Sequence, residues 1–158
     1  MNITVISVGK IKEKYFTAAI DEYSKRLSRF AKLNIIEVAD EKIPDNASEK
    51  EMEQIKEKEG SKILAKLPQN SFVVTLCIEG KEHSSEELAK KIADISMTSS
   101  HITFIIGGSL GLSDTVKSKS ALRLSFGKMT LPHQLMRVVL LEQIYRAFKI
   151  NNNESYHK

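Results

Sequence analysis

The sequence predicts an α/β fold, a sandwich of helices around a mostly parallel sheet, and three observations carry that prediction. Short runs rich in β-branched residues recur at Asn2 to Val8, Leu33 to Val38, Phe72 to Ile78, Ile102 to Ile106 and Leu122 to Phe126. Segments with apolar residues at three- and four-residue steps separate them, which is the strand and helix alternation of a parallel sheet. Several of the runs are apolar on both faces, as strands covered by helices on two sides must be.

The elements can be justified in order. Asn2 to Val8 ends at Gly9 and reads as a buried first strand. Tyr15, Phe16, Ala19, Ile20, Tyr23, Leu27 and Phe30 then form one helical stripe. Leu33 to Val38 is the second strand, and the polar Ala39 to Ala47, with Pro44 and Asn46, a loop. Ser48 with Glu51 has capping-box spacing and opens a charged helix that reaches Lys66. Phe72 to Ile78 reads as a third, central strand, with Glu79-Gly80-Lys81 as its exit turn. Ser84 with Glu87 repeats the capping signal ahead of Leu88, Ala89, Ile92 and Ile95. Ile102 to Ile106 is the fourth strand, Ser113 and Asp114 cap a short helix, and Leu122, Leu124 and Phe126 alternate as the fifth strand. Pro132 suits the first position of a last helix, where its missing N–H costs nothing. The polar tail from Asn151 to Lys158 reads as unstructured in isolation.

Size and composition bound the function. At 158 residues, 41% apolar and 28% charged, the chain is expected to form one domain over residues 1–158 with an ordinary globular composition. Its start has neither a basic n-region nor a cleavage site, and no apolar run approaches the roughly 18 residues of a membrane span. The expectation is a cytoplasmic protein with no membrane partner. The single Cys77 lies inside an apolar strand and reads as a core thiol. Net charge is +4, unevenly spread. Seven Lys/Arg face three acids from Lys10 to Lys32, and eight face three from Ser113 to Lys158, whereas Glu37 to Glu59 holds nine acids and four lysines. The plain reading is a set of solvated faces. The functional one is a basic surface for a polyanion such as RNA, with the acidic segment turned away.

The stretch Thr103 to Arg137 draws the chemistry together. Gly107-Gly108-Ser109-Leu110-Gly111 follows a buried strand, and Gly127-Lys128-Met129-Thr130 follows another. Loops leaving the carboxyl ends of strands are where α/β sheets bind ligands. The first loop is not a dinucleotide fingerprint, because Ser109 replaces the second glycine. The second is not a P-loop, because Met129 separates Lys128 from Thr130. The four histidines lack metal-ligand spacing and cysteine partners, so no metal site is expected. His133 falls on the first turn of the last helix, one turn before Arg137. Tyr156-His157-Lys158 is either a frayed terminus or a nucleotide contact.

Taken jointly, Ile106-Gly107-Gly108 with Gly111, Leu124-Ser125-Phe126, Met129 to His133, Arg137, Glu142 to Ala147 and Tyr156-His157-Lys158 resemble the RlmH family. Val8-Gly9-Lys10 and Glu57-Lys58-Glu59-Gly60 extend the likeness over nearly the whole chain. These are SPOUT-class methyltransferases that modify N3 of a pseudouridine in bacterial 23S ribosomal RNA. The resemblance implies a homodimer, a C-terminal trefoil knot and S-adenosyl-L-methionine as cofactor. By position it implies cofactor contacts at Leu76, Gly107, Phe126, Gly127, Lys128, Met129, Thr130 and Leu131. Gly127 stands where relatives commonly carry serine. A base is needed to take the N3 proton, and His133 or His157 is expected to supply it, with Tyr156 and Arg137 in the same machinery. Arg137, Lys128 and Lys158 are also expected at RNA phosphates. The substrate would be ribosomal RNA in the large subunit or the assembled ribosome. A cofactor-independent RNA-binding or ribosome-assembly factor, and a nucleotide-binding α/β protein of another sort, remain open alternatives.

Overall fold

A computed structural model describes residues 1–158. Five strands form one sheet: β1 (Asn2–Val8), β2 (Lys32–Val38), β3 (Phe72–Glu82), β4 (His101–Ile106) and β5 (Leu122–Ser125), in the order β2-β1-β4-β3-β5. Every ladder is parallel. All the carboxyl ends therefore open on one edge, and every loop with chemical interest leaves from there. Five helices complete the chain: α1 (Lys14–Leu27), α2 (Glu49–Lys66), α3 (Ser85–Ser96), α4 (Asp114–Lys117) and α5 (His133–Asn151).

The period of two in the strands divides the core into two layers. Ile3 and Val5 of β1, with Ile102, Phe104 and Ile106 of β4, face α1, α3 and α5 in a cluster of 18 buried residues. Ile6, Val8 and Ile105 face α2 and α4 in a cluster of eight. The three-helix face thus holds most of the apolar burial. On the thinner face Gly60 of α2 lies so near α4 that a methyl group there would meet Ser113 Oγ at 2.7 Å.

Both capping boxes form: Glu51 N–H donates to Ser48 Oγ at 3.1 Å, and Glu87 N–H to Ser84 Oγ at 3.1 Å. Ser113 Oγ likewise accepts from Val116 N–H at 3.2 Å. No helix is long and apolar enough to cross a membrane.

Four elements differ from the sequence expectation. β4, not β3, is the middle strand; β3 is interior, between β4 and β5. Glu79-Gly80-Lys81 is not an exit turn, because β3 bulges at Cys77 to Gly80 and pairing resumes at Lys81, so that Leu124 faces both Leu76 and Lys81. Pro132 precedes the last helix with an extended ψ of 137°, as its N-cap. Phe126 leaves the fifth strand, which ends at Ser125.

The tail is also ordered on the body of the protein, by side chains of α5 and of segments far away in sequence. Glu154 pairs with Lys149 and Arg29. The Tyr156 hydroxyl donates to Glu142 Oε2 at 2.8 Å, and the Arg146 guanidinium lies 4.7 Å over the Tyr156 ring.

Candidate active site

Two loops, one bulge and the start of α5 enclose a cleft of about 550 Å3 at the carboxyl edge, within the size range of small-molecule sites. One wall is Leu76, Cys77 and Ile78 of the β3 bulge; a second is the glycine turn from Gly107 to Gly111; the third is Phe126 to Pro132, and His133 and Met136 of α5 close the end.

Each wall has a local cause. A methyl group at Gly107 would come within 2.7 Å of the Gly111 carbonyl carbon and 3.0 Å of Leu112 N, so only glycine lets this turn fold onto its own backbone. Gly127 has φ of +114°, a left-handed conformation that side chains disfavour, and it redirects the chain after β5. Ser125 staples the bulge to this last loop: its hydroxyl donates to the Ile78 carbonyl at 2.9 Å and accepts the Gly127 N–H at 3.1 Å. The result is apolar side-chain faces, including Leu76, Leu124 and Leu131, beside exposed backbone of two loops. That combination suits a flat heteroaromatic ring with a polar edge.

His133 is half-buried at the rim. Burial, and then the positive charge of Arg137, hold its imidazole below the usual range, with Asp40 acting weakly the other way. Burial and the neighbouring arginine thus favour its neutral form. Cys77 is buried, and desolvation is the main cause that pushes its thiol up, away from a reactive thiolate. No three His, Cys, Asp or Glu side chains converge as a metal site.

Of the cofactor contacts expected from the resemblance, Leu76, Gly107, Phe126, Gly127, Met129, Thr130 and Leu131 line the cleft together, while Lys128 is exposed beside it. The expected catalytic group is not assembled in the same way. Arg137 is only 3% exposed and is turned away from solvent. It donates to Glu37 at 2.6 Å and to the Val8 and Gly9 carbonyls at 2.8 Å each. This geometry corrects its assignment to an RNA phosphate: its charge is already engaged within the fold.

Tyr156 and His157 lie outside the cleft lining, against α3 and α5. His157 Nδ1 is 3.1 Å from Arg146 Nη1, and Nε2 is 2.7 Å from Glu86 Oε1. Because arginine can only donate, Nδ1 must accept, and Nε2 carries the proton given to Glu86. Both ring nitrogens are committed. Burial, and then its hydrogen bond to Glu142, push the Tyr156 phenol up. In this arrangement neither side chain presents a free base. The sequence gives Cys77, Ile78 and Ser125 no place at the site, although they form and fix the bulge; the only local sign of it is Gly80 inside a strand, where glycine often marks one.

The α/β fold that carries this cleft is shared with known proteins. The family model described as predicted SPOUT methyltransferase matches residues 1–157. The chain belongs to the SPOUT methyltransferase family. Among SPOUT relatives, the ribosomal RNA large subunit methyltransferase H of Clostridium novyi (strain NT) is 63% identical over 100% of both chains. The protein of the same name from Clostridioides difficile (strain 630) is 60% identical, again over 100% of both. These full-length matches bear out the RlmH resemblance. Among solved structures, the SPOUT chain superimposes on Lpg2936 of Legionella pneumophila, determined in complex with bound SAM, with a TM-score of 0.51. That likeness has 12% identity and covers 94% of this chain and 66% of the other, and it shows the fold alone.

Proposed function

We propose that this protein methylates N3 of a pseudouridine in the ribosomal RNA of the large subunit, using S-adenosyl-L-methionine bound in the cleft at the carboxyl edge of the sheet. The observation that carries this reading is the convergence of the glycine turn, the β3 bulge and the loop from Phe126 to Leu131 on one cleft, with a neutral histidine at its rim. The relatives identical at 60% or more over their full length bear a ribosomal RNA large subunit methyltransferase name, which supports the substrate class.

When bound, the cofactor supplies a methyl group on a sulfonium, whose transfer to nitrogen is an in-line displacement. The protein's tasks are then alignment, exclusion of water and removal of one proton. Leu76 and Leu131 would hold the adenine between apolar faces, and the backbone N–H and C=O groups of the two loops would offer partners for its edge and the ribose. His133, neutral and half-buried, takes the N3 proton of the substrate base. His157 can act only if its two hydrogen bonds to Arg146 and Glu86 are released.

The half-buried outer positions of α5, Leu135, Val138 and Val139, offer an apolar strip for a homodimer, in which the Tyr156-His157-Lys158 tail of one subunit would approach the cleft of the other. The trefoil knot belongs to the same reading: the last loop and α5 are the segments whose threading would produce it. Exposed Lys128 and Lys158 face RNA phosphates, and the reaction takes place on large subunits or assembled ribosomes in the cytoplasm.

Mass-spectrometric mapping of ribosomal RNA from cells lacking the protein tests the reading. Loss of one methyl-pseudouridine, restored by the wild-type chain but not by His133→Ala, is the expected result. An unchanged spectrum would favour a ribosome-assembly factor.

A further inference from the structure

The loop between β1 and α1 leaves the same carboxyl edge as the cleft walls; it carries Lys10 and Lys12, and Lys14 opens α1 at its end. All three are exposed, and none has an acidic partner within ion-pairing distance. Glu13 is the only acid among them.

The loop is held at three points. Its start is fixed by Arg137, whose Nη2 donates to the carbonyls of Val8 and Gly9 at 2.8 Å each. Its middle is fixed by Glu37 Oε2, which accepts the Ile11 N–H at 3.1 Å as well as Arg137 Nη1 at 2.6 Å. The Lys12 N–H reaches Gln134 Oε1 at 3.5 Å, and Gln134 is the neighbour of His133. An ion pair between the buried Arg137 and the partly exposed Glu37 thus holds an exposed basic loop against the first turn of α5, at the rim of the cleft. Lys128, exposed on the loop after β5, flanks the cleft with a further free cation.

We infer that the Gly9 to Lys14 loop is a phosphate-binding strip that seats the RNA strand beside the methyl-donor cleft, and that Arg137 and Glu37 are its positioning residues. The inference rests on the rRNA methyltransferase reading and adds the surface by which the substrate is held. Three lysines preset by backbone anchors lose less freedom on binding than lysines on an untethered loop would. The partner chemistry is that of a polyanion, because a cationic strip with one acid and no preformed pocket selects charge rather than a particular base.

Binding of large ribosomal subunits, purified from cells lacking the protein, separates the alternatives when measured from about 50 to 200 mM salt. The variants are Lys10→Ala/Lys12→Ala/Lys14→Ala and, as a charge-matched control on the opposite face of the sheet, Lys50→Ala/Lys58→Ala/Lys66→Ala. At about 0.7 to 0.9 units of salt slope per phosphate contact, the loop variant should lose about 20- to 40-fold less affinity across that range than wild type. The control should follow wild type, and both variants should keep wild-type S-adenosylmethionine binding by calorimetry. A loop variant with the wild-type slope, or a control that flattens equally, overturns the strip. A wild-type protein with no salt-dependent binding overturns the rRNA reading itself, and the strip with it.

Discussion

Truncating Arg137 to alanine tests the most consequential correction, that this arginine is an internal clamp. The residue is 3% exposed, and its truncation loses three bonds, one to Glu37 and two to the Val8 and Gly9 carbonyls. Bonds from a charged donor contribute about 1.5 to 3 kcal/mol each, and the low end applies here because Glu37 is partly exposed. A cavity of about 230 Å3 also adjoins the guanidinium, through which water can reach part of what is uncovered. Against this loss stands the buried Arg137 Nε, which has no hydrogen-bond partner, so its removal returns about 1 to 2 kcal/mol. The net cost is about 3 kcal/mol, or about 6 to 12 °C in melting temperature for a chain of this size. Urea unfolding followed by circular dichroism measures it, and hydrogen exchange at the Ile11 amide should quicken as Glu37 loses its orientation. Arg137→Lys should cost about half as much, since one ammonium cannot span the carboxylate and both carbonyls. A loss below about 1 kcal/mol for the alanine variant, with Ile11 still protected, would refute the clamp.

Three further outcomes are expected. Gly107→Ala places a methyl group 2.7 Å from backbone, so the turn must open; S-adenosylmethionine affinity by calorimetry should fall at least about tenfold, while stability drops by only about 1 to 3 kcal/mol. The His133 pKa is lowered in the folded protein, so the unfolded chain takes up this proton first as pH falls. His133 therefore costs stability below its ordinary titration range and nothing above it. His133→Gln should lose less stability than wild type on acidification from about pH 7 to 5, and the NMR titration of His133 should have its midpoint below about 6.5. Cys77 lines the cleft with a raised thiol pKa, so alkylation by iodoacetamide should be slow in the native state and slower still with S-adenosylmethionine bound. Equal rates with and without the cofactor would place the cofactor elsewhere.

What the sequence reveals follows the range of the forces involved. β1, α2, α3 and β4 are legible because each is fixed by its own periodicity and caps: Ser48 with Glu51 and Ser84 with Glu87 act across three residues. The glycine turn and the last loop are legible as a ligand site because parallel strands must end on one edge. Arg137 was not, because its carboxylate partner lies 100 residues away and its carbonyl partners more than 120. A lone arginine one helical turn after a histidine looks the same whether it faces phosphate or protein. The tail failed for the same reason: Asn151 to Ser155 is polar, and the tail is ordered by side chains outside it, among them Arg29, Glu86, Glu142, Arg146 and Lys149. The β3 bulge was hidden because Glu79-Gly80-Lys81 carries the composition of a turn, and strand pairing beyond it depends on β5.

The double pairing of Leu124 with Leu76 and Lys81 has a consequence for how such a site can vary. Residues Cys77 to Gly80 form a loop whose two ends are pinned to the same point of the neighbouring strand. Their number is therefore independent of the sheet's alignment: adding or deleting a residue there would reshape one wall of the cleft while every strand kept its neighbours. The segment is a natural place for descendants of this chain to alter which ligand they admit without rebuilding the scaffold.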